Sequence, residues 1–396
     1  MSPDEIRIED PSGVSVVQNL PYRSGPLTIT RQNRQLLIEV LDQGCNLVVR
    51  HCPEGLALLW RDVTCTVALA AHDTVRVRTG DGDDQVIVES SLDRRTVIES
   101  GDGNDDIQVR GPAPDAETLN AGIVVVDAGA GDDRIVVQGL RQAEIDGGAG
   151  NDVLRSGAAY SLLYAGPGED SLAIEAGKGT LEALHGSTRV STGKQDDRIY
   201  GDPARIIAES GFSAPLLYPL QDAQLPPDYL ATFKIEGDAH YVDKVSRQLT
   251  MLRASPGASV LLDRLVAQQV TITIKPAETL DNAFASYDET LGDPHVRDGV
   301  RGDRIRDCEV HYNPLAQRPG TPSLVMLYHE LCHVWNFATG SATDNVERLA
   351  VGLDNPGSLF DYDDDPNTPD TDTNPPPFNE NALRLELGLA PRLSYP

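Results

Sequence analysis

The stretch YHELCHVWNF, residues 328–337, sets two imidazoles four residues apart with an acid directly after the first. On a helix, positions i and i+4 lie one turn apart on the same face. His329 and His333 can therefore reach one tetrahedral ion. Glu330 sits about 100° round the helix from His329, beside such an ion rather than on it. There it can take a proton from a water that zinc has acidified. The flanks suit this chemistry, because LVML precedes the motif and no charge interrupts Leu331 or Cys332. A buried, uncharged helix gives the dry surroundings in which zinc polarises a carbonyl. Cys332 faces away from the ion on this reading and is assigned to packing.

A catalytic zinc takes three protein ligands and leaves a fourth position for water. The other histidines (His51, His72, His185, His240, His295 and His311) all lie N-terminal to the motif, so the third ligand is sought among acids. The C-terminal stretch FNENALRLELGLAPRLSYP opens with Asn379-Glu380-Asn381 and continues with helical spacing. Glu380, 47 residues past His333, is the expected third ligand, with Glu386 as the alternative. A crossing helix would deliver either carboxylate.

A second pattern fills the first half. Six stretches align, TGDGDDQVIV from Thr79, SGDGNDDIQV from Ser100, AGAGDDRIVV from Ala128, GGAGNDVL from Gly147, AGPGEDSL from Ala165 and TGKQDDRI from Thr192. Each is a Gly-rich turn, an aspartate and then an apolar, strand-like run. The aligned acids are Asp84, Asp105, Asp133, Asp152, Asp170 and Asp197, separated by 21, 28, 19, 18 and 27 residues. A turn and short strand recurring at this interval describe coils that bury their apolar faces only against neighbouring coils. Stacked aspartates and turn carbonyls are the oxygen set that Ca2+ takes, so all six acids are expected calcium ligands. A GxGxxG nucleotide loop is excluded, because no copy has the third glycine and strands follow rather than helices.

The elements divide the chain. Residues 1–75 carry strand-like runs without the aspartate and are expected to form a β-rich cap or undecorated coils. Residues 76–205 hold the repeats, and 206–228 are a Pro-rich linker. From 229 to 396 the texture becomes mixed: DAHYVDKVSRQLTMLRAS and PGASVLLDRLVAQQ read as helices, VTITIKP and RDCEVHYNP as strands. PSLVMLYHELCHVWNFATG then reads as the long motif helix. The fold class expected is multidomain, an all-β parallel β-solenoid or β-roll followed by an α+β zincin-like domain. Within the latter, DYDDDPNTPDTDTNPPP (361–377), with six aspartates and five prolines, is expected to be a disordered loop.

Composition limits the partners. The formal net charge is −28 and the pI about 4.5, a field that repels phosphate backbones and anionic lipid. Nucleic acid is therefore not expected, and no apolar run is long enough to span a bilayer. MSPDEIRIED has neither a basic nor an apolar leader character, so no cleavable signal peptide is expected. Five cysteines without a CxxC give no disulfide framework.

Two resemblances rest on these residues. The Gly-Asp turns resemble the RTX nonapeptide G-G-x-G-x-D-x-U-x, which implies several structural calcium ions in a β-roll. LVMLYHELCHVWN with NENALRLELGLAPR, and VSRQLTMLRASPGASVLLDRL upstream, resembles the bacterial type III effector zinc peptidases of the NleD kind over residues 230–396. That likeness implies one catalytic zinc on His329 and His333, with Glu330 as general base and Glu380 as third ligand. It also implies secretion, translocation into a host cell and a protein substrate, a host signalling kinase. Arg392 and Tyr395 are similar to the Arg-x-x-Tyr pair of clostridial neurotoxin light chains, which implies a role in stabilising the oxyanion. The rival expectation is a calcium-binding adhesive or surface repeat protein whose zinc domain is inactive or structural.

Overall fold

The computed structural model describes the chain apart from residues 10, 11, 13, 71, 72, 90–93, 113–121, 193–195, 210–215, 278, 280–282, 317, 356–358 and 396. It separates into two compact units, Met1–Leu217 and Tyr218–Pro396.

The first unit is built from the Gly-Asp turns. Strands such as Thr74–Arg78, Arg95–Glu99, Ile123–Asp127, Gln142–Asp146 and Tyr160–Tyr164 stack in parallel in one sheet. Gln85–Glu89, Asp106–Arg110, Arg134–Gln138, Val153–Gly157 and Glu169–Ile174 stack in parallel in the other. Every coil thus contributes one strand to each sheet. The register places like on like, Val86 against Ile107, then Ile135, Leu154 and Leu172 in one ladder. The facing sheet supplies Val77, Ile98, Val126, Ile145 and Leu163 to the same core. Close stacking requires glycine in the turns. Gly148 has φ +85°, and a Cβ there would lie 1.8 Å from the Gly129 carbonyl oxygen of the coil below.

Most opening strands form antiparallel hairpins, but Gln35–Val40 and Asn46–Cys52 also stack in parallel on Thr74–Arg78 and Gln85–Glu89, as a coil without the aspartate. Glu5–Glu9, Ser15–Asn19, Asn46–Cys52, Gly55–Trp60 and Val63–Val67 pair antiparallel at the end of one sheet. Tyr22–Ser24, Leu27–Gln32 and Gln35–Val40 do the same on the other.

The second unit is a small α/β layer. Phe233–Ile235, Thr271–Pro276 and Asp307–Tyr312 run parallel, and Phe284–Tyr287 closes one edge antiparallel to the last of these. Helices α1 (Pro227–Thr232), α2 (Ala239–Ala254), α3 (Pro256–Ala267), α4 (Ser323–Thr339), α5 (Val346–Val351) and α6 (Glu380–Glu386) surround it. Capping follows the sequence: Asp238 accepts the Tyr241 N–H, Ser255 the Ala258 N–H, and Asn379 the Ala382 N–H. The motif helix α4 starts after Pro322, stops at Gly340 in the left-handed region, and is buried along all 17 residues.

The acidic segment 361–377, expected to be disordered, has defined partners. Arg301 Nη2 reaches Asp361 and Asp364 at 2.9 and 3.3 Å, and Arg304 reaches Asp364 at 2.9 Å. Phe360 and Thr371 exchange backbone hydrogen bonds, and Trp335 Nε1 donates to the Tyr362 carbonyl at 2.8 Å. The two arginines offset part of the aspartate charge, and buried Phe360 and Tyr362 supply an apolar anchor.

Candidate metal centre

Helix α4 delivers His329 and His333 as the i, i+4 geometry requires. Their Nε2 atoms lie 3.1 Å apart, and Glu347 Oε2 stands 3.1 Å from the first and 3.5 Å from the second. A tetrahedral zinc with bonds near 2.0–2.1 Å has ligand–ligand edges of about 3.3 Å. The three atoms therefore span one face of such a tetrahedron, the one three-residue cluster of metal-ligating groups found among the described residues. Chemistry agrees with geometry. His329 Nδ1 lies 2.8 Å from Glu380 Oε2, so a cation that displaced the Nε2 proton would find the ring held with its remaining proton on Nδ1. Two imidazole lone pairs and a carboxylate oxygen then face one point, which suits a cation.

The expected third ligand, Glu380, is not one of these three groups. Glu380 is at the site but on the opposite nitrogen of His329, outside the triad. It is 1% exposed and fully engaged: Oε2 also meets Arg392 Nη1 at 3.3 Å, and Oε1 meets Arg384 Nη1 at 3.1 Å. Burial would raise its pKa, but His329 and the two arginines hold it below the usual carboxylate range. Glu386, the alternative, is elsewhere. Its Oε2 accepts the Gly257 N–H at 3.1 Å, in the first turn of α3, where a carboxylate complements the helix dipole.

Glu347 was missed because it lies on a six-residue helix, α5, too short to stand out by periodicity. The available signal was an acid two places after Asn345, in a run NVERLAVG closed by glycine. α5 ends close against α6: Gly352, its C-cap, has φ +81°, and a Cβ there would lie 2.5 Å from Asn379 Cγ at the start of α6. Burial would raise Glu347, yet the two histidines pull it far below the ordinary range. Burial lowers the affinity of His329 for its proton, but Glu347 and Glu380 outweigh that and raise it to about 10.

Glu330 lines the same cleft and is 6% exposed. Burial raises its pKa, moderated by His329, His333 and the Ala285 N–H of the edge strand above it. A carboxylate whose proton affinity is raised is suited to accept and return a proton. The C-terminal pair also reaches the cleft. Arg392 lies 4.4 Å over the Tyr395 ring, and Tyr395 stacks on His329 at 6.4 Å. Asn381 clamps the tail, accepting the Arg392 N–H at 2.6 Å and donating to its carbonyl at 3.0 Å. Cys332 is fully buried, as its packing assignment requires.

In the first unit, Asp84, Asp105, Asp133, Asp152 and Asp170 form one column. Each Oδ1 accepts a backbone N–H from the coil before it, from Cys45, Asp84, Asp105, Asp133 and Asp152 in turn, at 2.6–3.0 Å. The second oxygen of Asp84, Asp105, Asp133 and Asp170 is buried and meets no hydrogen-bond donor. Hydroxyls of Thr79 and Ser100 stand near enough to Asp84 and Asp105 to favour their charged forms. Burial raises Asp105 to about 6 and Asp133 and Asp170 to about 8. Asp170 belongs to the column as fully as the others. Asp197 does not: its turn runs from Ser187–Thr192 to Arg198–Gly201, the opposite sense, and its Oδ1 accepts the Gly179 N–H at 2.7 Å. Gln195, which replaces the motif glycine in that copy, lies outside the described residues.

No helix among the described residues is long and apolar enough to cross a membrane. No curated protein and no solved structure matches the chain. Residues 231–395 match the model of peptidase family M91, described as effector protein, so the C-terminal unit is similar to a peptidase-like effector.

Proposed function

We propose that the chain is a zinc-dependent endopeptidase of the effector type, with His329, His333 and Glu347 as its metal ligands. The observation that carries this reading is the convergence of three metal-ligating atoms, 3.1–3.5 Å apart, beside a buried glutamate in one cleft. A zinc ion there would polarise a peptide carbonyl and acidify a water. Glu330 takes that water's proton and returns it to the leaving amine. Glu380 keeps His329 in the tautomer that offers Nε2, and it anchors Arg392. Arg392 and Tyr395 supply donors towards the charge that develops on the carbonyl oxygen. The resemblance to host-directed effectors makes a host signalling kinase the substrate to test first, after secretion and translocation.

The test is Glu330→Gln. The variant should fold, keep one zinc by elemental mass spectrometry and lose cleavage by at least about a hundredfold. Full activity in that variant would end the mechanism.

For the first unit we infer an RTX-like calcium column on Asp84, Asp105, Asp133, Asp152 and Asp170. The buried second oxygens of Asp84, Asp105, Asp133 and Asp170, which meet no donor, support it, since a divalent cation would complete their coordination. Asp197 is left out of this set. The adhesive-repeat alternative, a calcium-binding surface protein with an inactive zinc domain, predicts a calcium-dependent melting temperature with no cleavage of any peptide.

A further inference from the structure

The acidic segment does more than pair with Arg301 and Arg304. It leads to Asn374, whose side chain is fully buried against the motif helix. Asn336 lies seven residues after His329, two turns further along the same stripe of α4. These two amides exchange a reciprocal pair of hydrogen bonds. Asn336 Nδ2 donates to Asn374 Oδ1 at 2.9 Å, and Asn374 Nδ2 donates to Asn336 Oδ1 at 3.0 Å. Their other amide protons are taken as well, by Ser341 Oγ at 2.9 Å and by the Phe378 carbonyl at 3.0 Å.

The network continues to the start of α6. The Asn374 carbonyl accepts from Asn379 Nδ2 at 2.7 Å, and Asn379 Oδ1 caps α6 by accepting the Ala382 N–H at 3.0 Å. Glu380 is the next residue, with Oε2 at 2.8 Å from His329 Nδ1. Three side-chain amides, none more than 4% exposed, thus join one stripe of α4 to the helix that carries Glu380. α6 has only seven residues, too few to be stable alone, so its partners decide where it lies. Apolar contacts hold a helix without fixing its rotation, because hydrophobic attraction has no direction. A buried amide pair with every donor satisfied admits one arrangement.

We infer that Asn336 and Asn374 are positioning residues for the metal centre, their amide pair setting α6 on α4 so that Glu380 meets His329 Nδ1. The consequence for zinc rests on the peptidase reading, whereas the His329–Glu380 bond is read in metal-free protein. Proton NMR of the metal-free full chain should show a downfield, slowly exchanging His329 Nδ1 proton, assigned by its loss in Glu380→Ala. The double variant Asn336→Leu/Asn374→Leu replaces both amides by apolar side chains of similar shape, a change that leaves stability nearly unaltered when both partners go together. It should melt near wild type, yet lose or broaden that signal. It should also bind zinc about tenfold more weakly, the low end for an outer-shell change. In the Glu380→Ala background the same pair should weaken zinc further by less than about twofold, because its effect passes through Glu380. Asn374→Ala is the second variant. It keeps the backbone carbonyl that Asn379 needs but strands Asn336, so it should lose the signal and melt lower. The signal unchanged in whichever of these variants folds, or full additivity with Glu380→Ala, overturns the inference and reduces the network to packing. Absence of the signal from wild type overturns it too. Wild type that shows the signal and binds no zinc refutes the peptidase reading and leaves the positioning role standing.

Discussion

Removing Glu347 and removing Glu380 should have opposite signatures. The Glu347 side chain is 40% exposed and its carboxylate faces the two histidines. Glu347→Ala therefore deletes a ligand while disturbing little packing, and the metal-free protein should melt within a degree or two of wild type. Its zinc affinity should fall by more than the 10–100-fold typical of losing an outer-shell partner. Glu380→Ala removes a carboxylate whose side chain is 1% exposed, between His329, Arg384 and Arg392. It strands the buried Arg384 guanidinium, a loss of about 3–5 kcal/mol. For a unit of this size that corresponds to roughly 10 °C in melting temperature. Its zinc affinity should fall only about 10–100-fold, because His329 keeps Nε2 and loses its orienting partner. Competition against a chromophoric chelator gives the affinities, and calorimetry of the metal-free proteins gives the melting points. Zinc kept by Glu347→Ala and abolished by Glu380→Ala would refute the ligand assignment and restore Glu380 to the metal.

The aspartate column predicts a pH response in chelator. Asp105, Asp133 and Asp170 have folded pKa values above the unfolded value near 4. The folded state therefore binds more protons, and stability is full below about pH 4 and lost as pH rises through 6 to 8. Chemical denaturation from pH 4 to 8 should show this fall without calcium and its suppression in millimolar calcium. A flat profile in chelator would remove the column's role. Asn381→Leu should free the tail at Arg392, lowering kcat about tenfold or more with zinc content unchanged, because the clamp positions a donor and binds no metal. An unchanged kcat would show that the tail needs no clamp.

Much of this protein is local. The spacing of His329 and His333, the direction of Glu330, the caps Asp238, Ser255 and Asn379, and the Gly-Asp turns follow from helix and turn geometry over a few residues. For such features the sequence alone determines what is near what. The parallel two-sheet stack was also legible, since a turn and strand repeated every 18 to 28 residues can bury its apolar side in few other ways. Which acid stands third in the His329–His333 cluster was not legible. Glu347 and Glu380 both sit in the first turn of a short helix, and each points a carboxylate towards His329. Which of them reaches Nε2 and which Nδ1 depends on how α5 and α6 pack over α4. The same holds for Asp197, whose motif resembles the others but whose strand enters the opposite sheet. It holds also for the acidic segment, ordered by Arg301 and Arg304 some 60 residues away. Local rules fix spacing along the chain, whereas the partner of a charge is chosen by whichever distant element the core brings beside it.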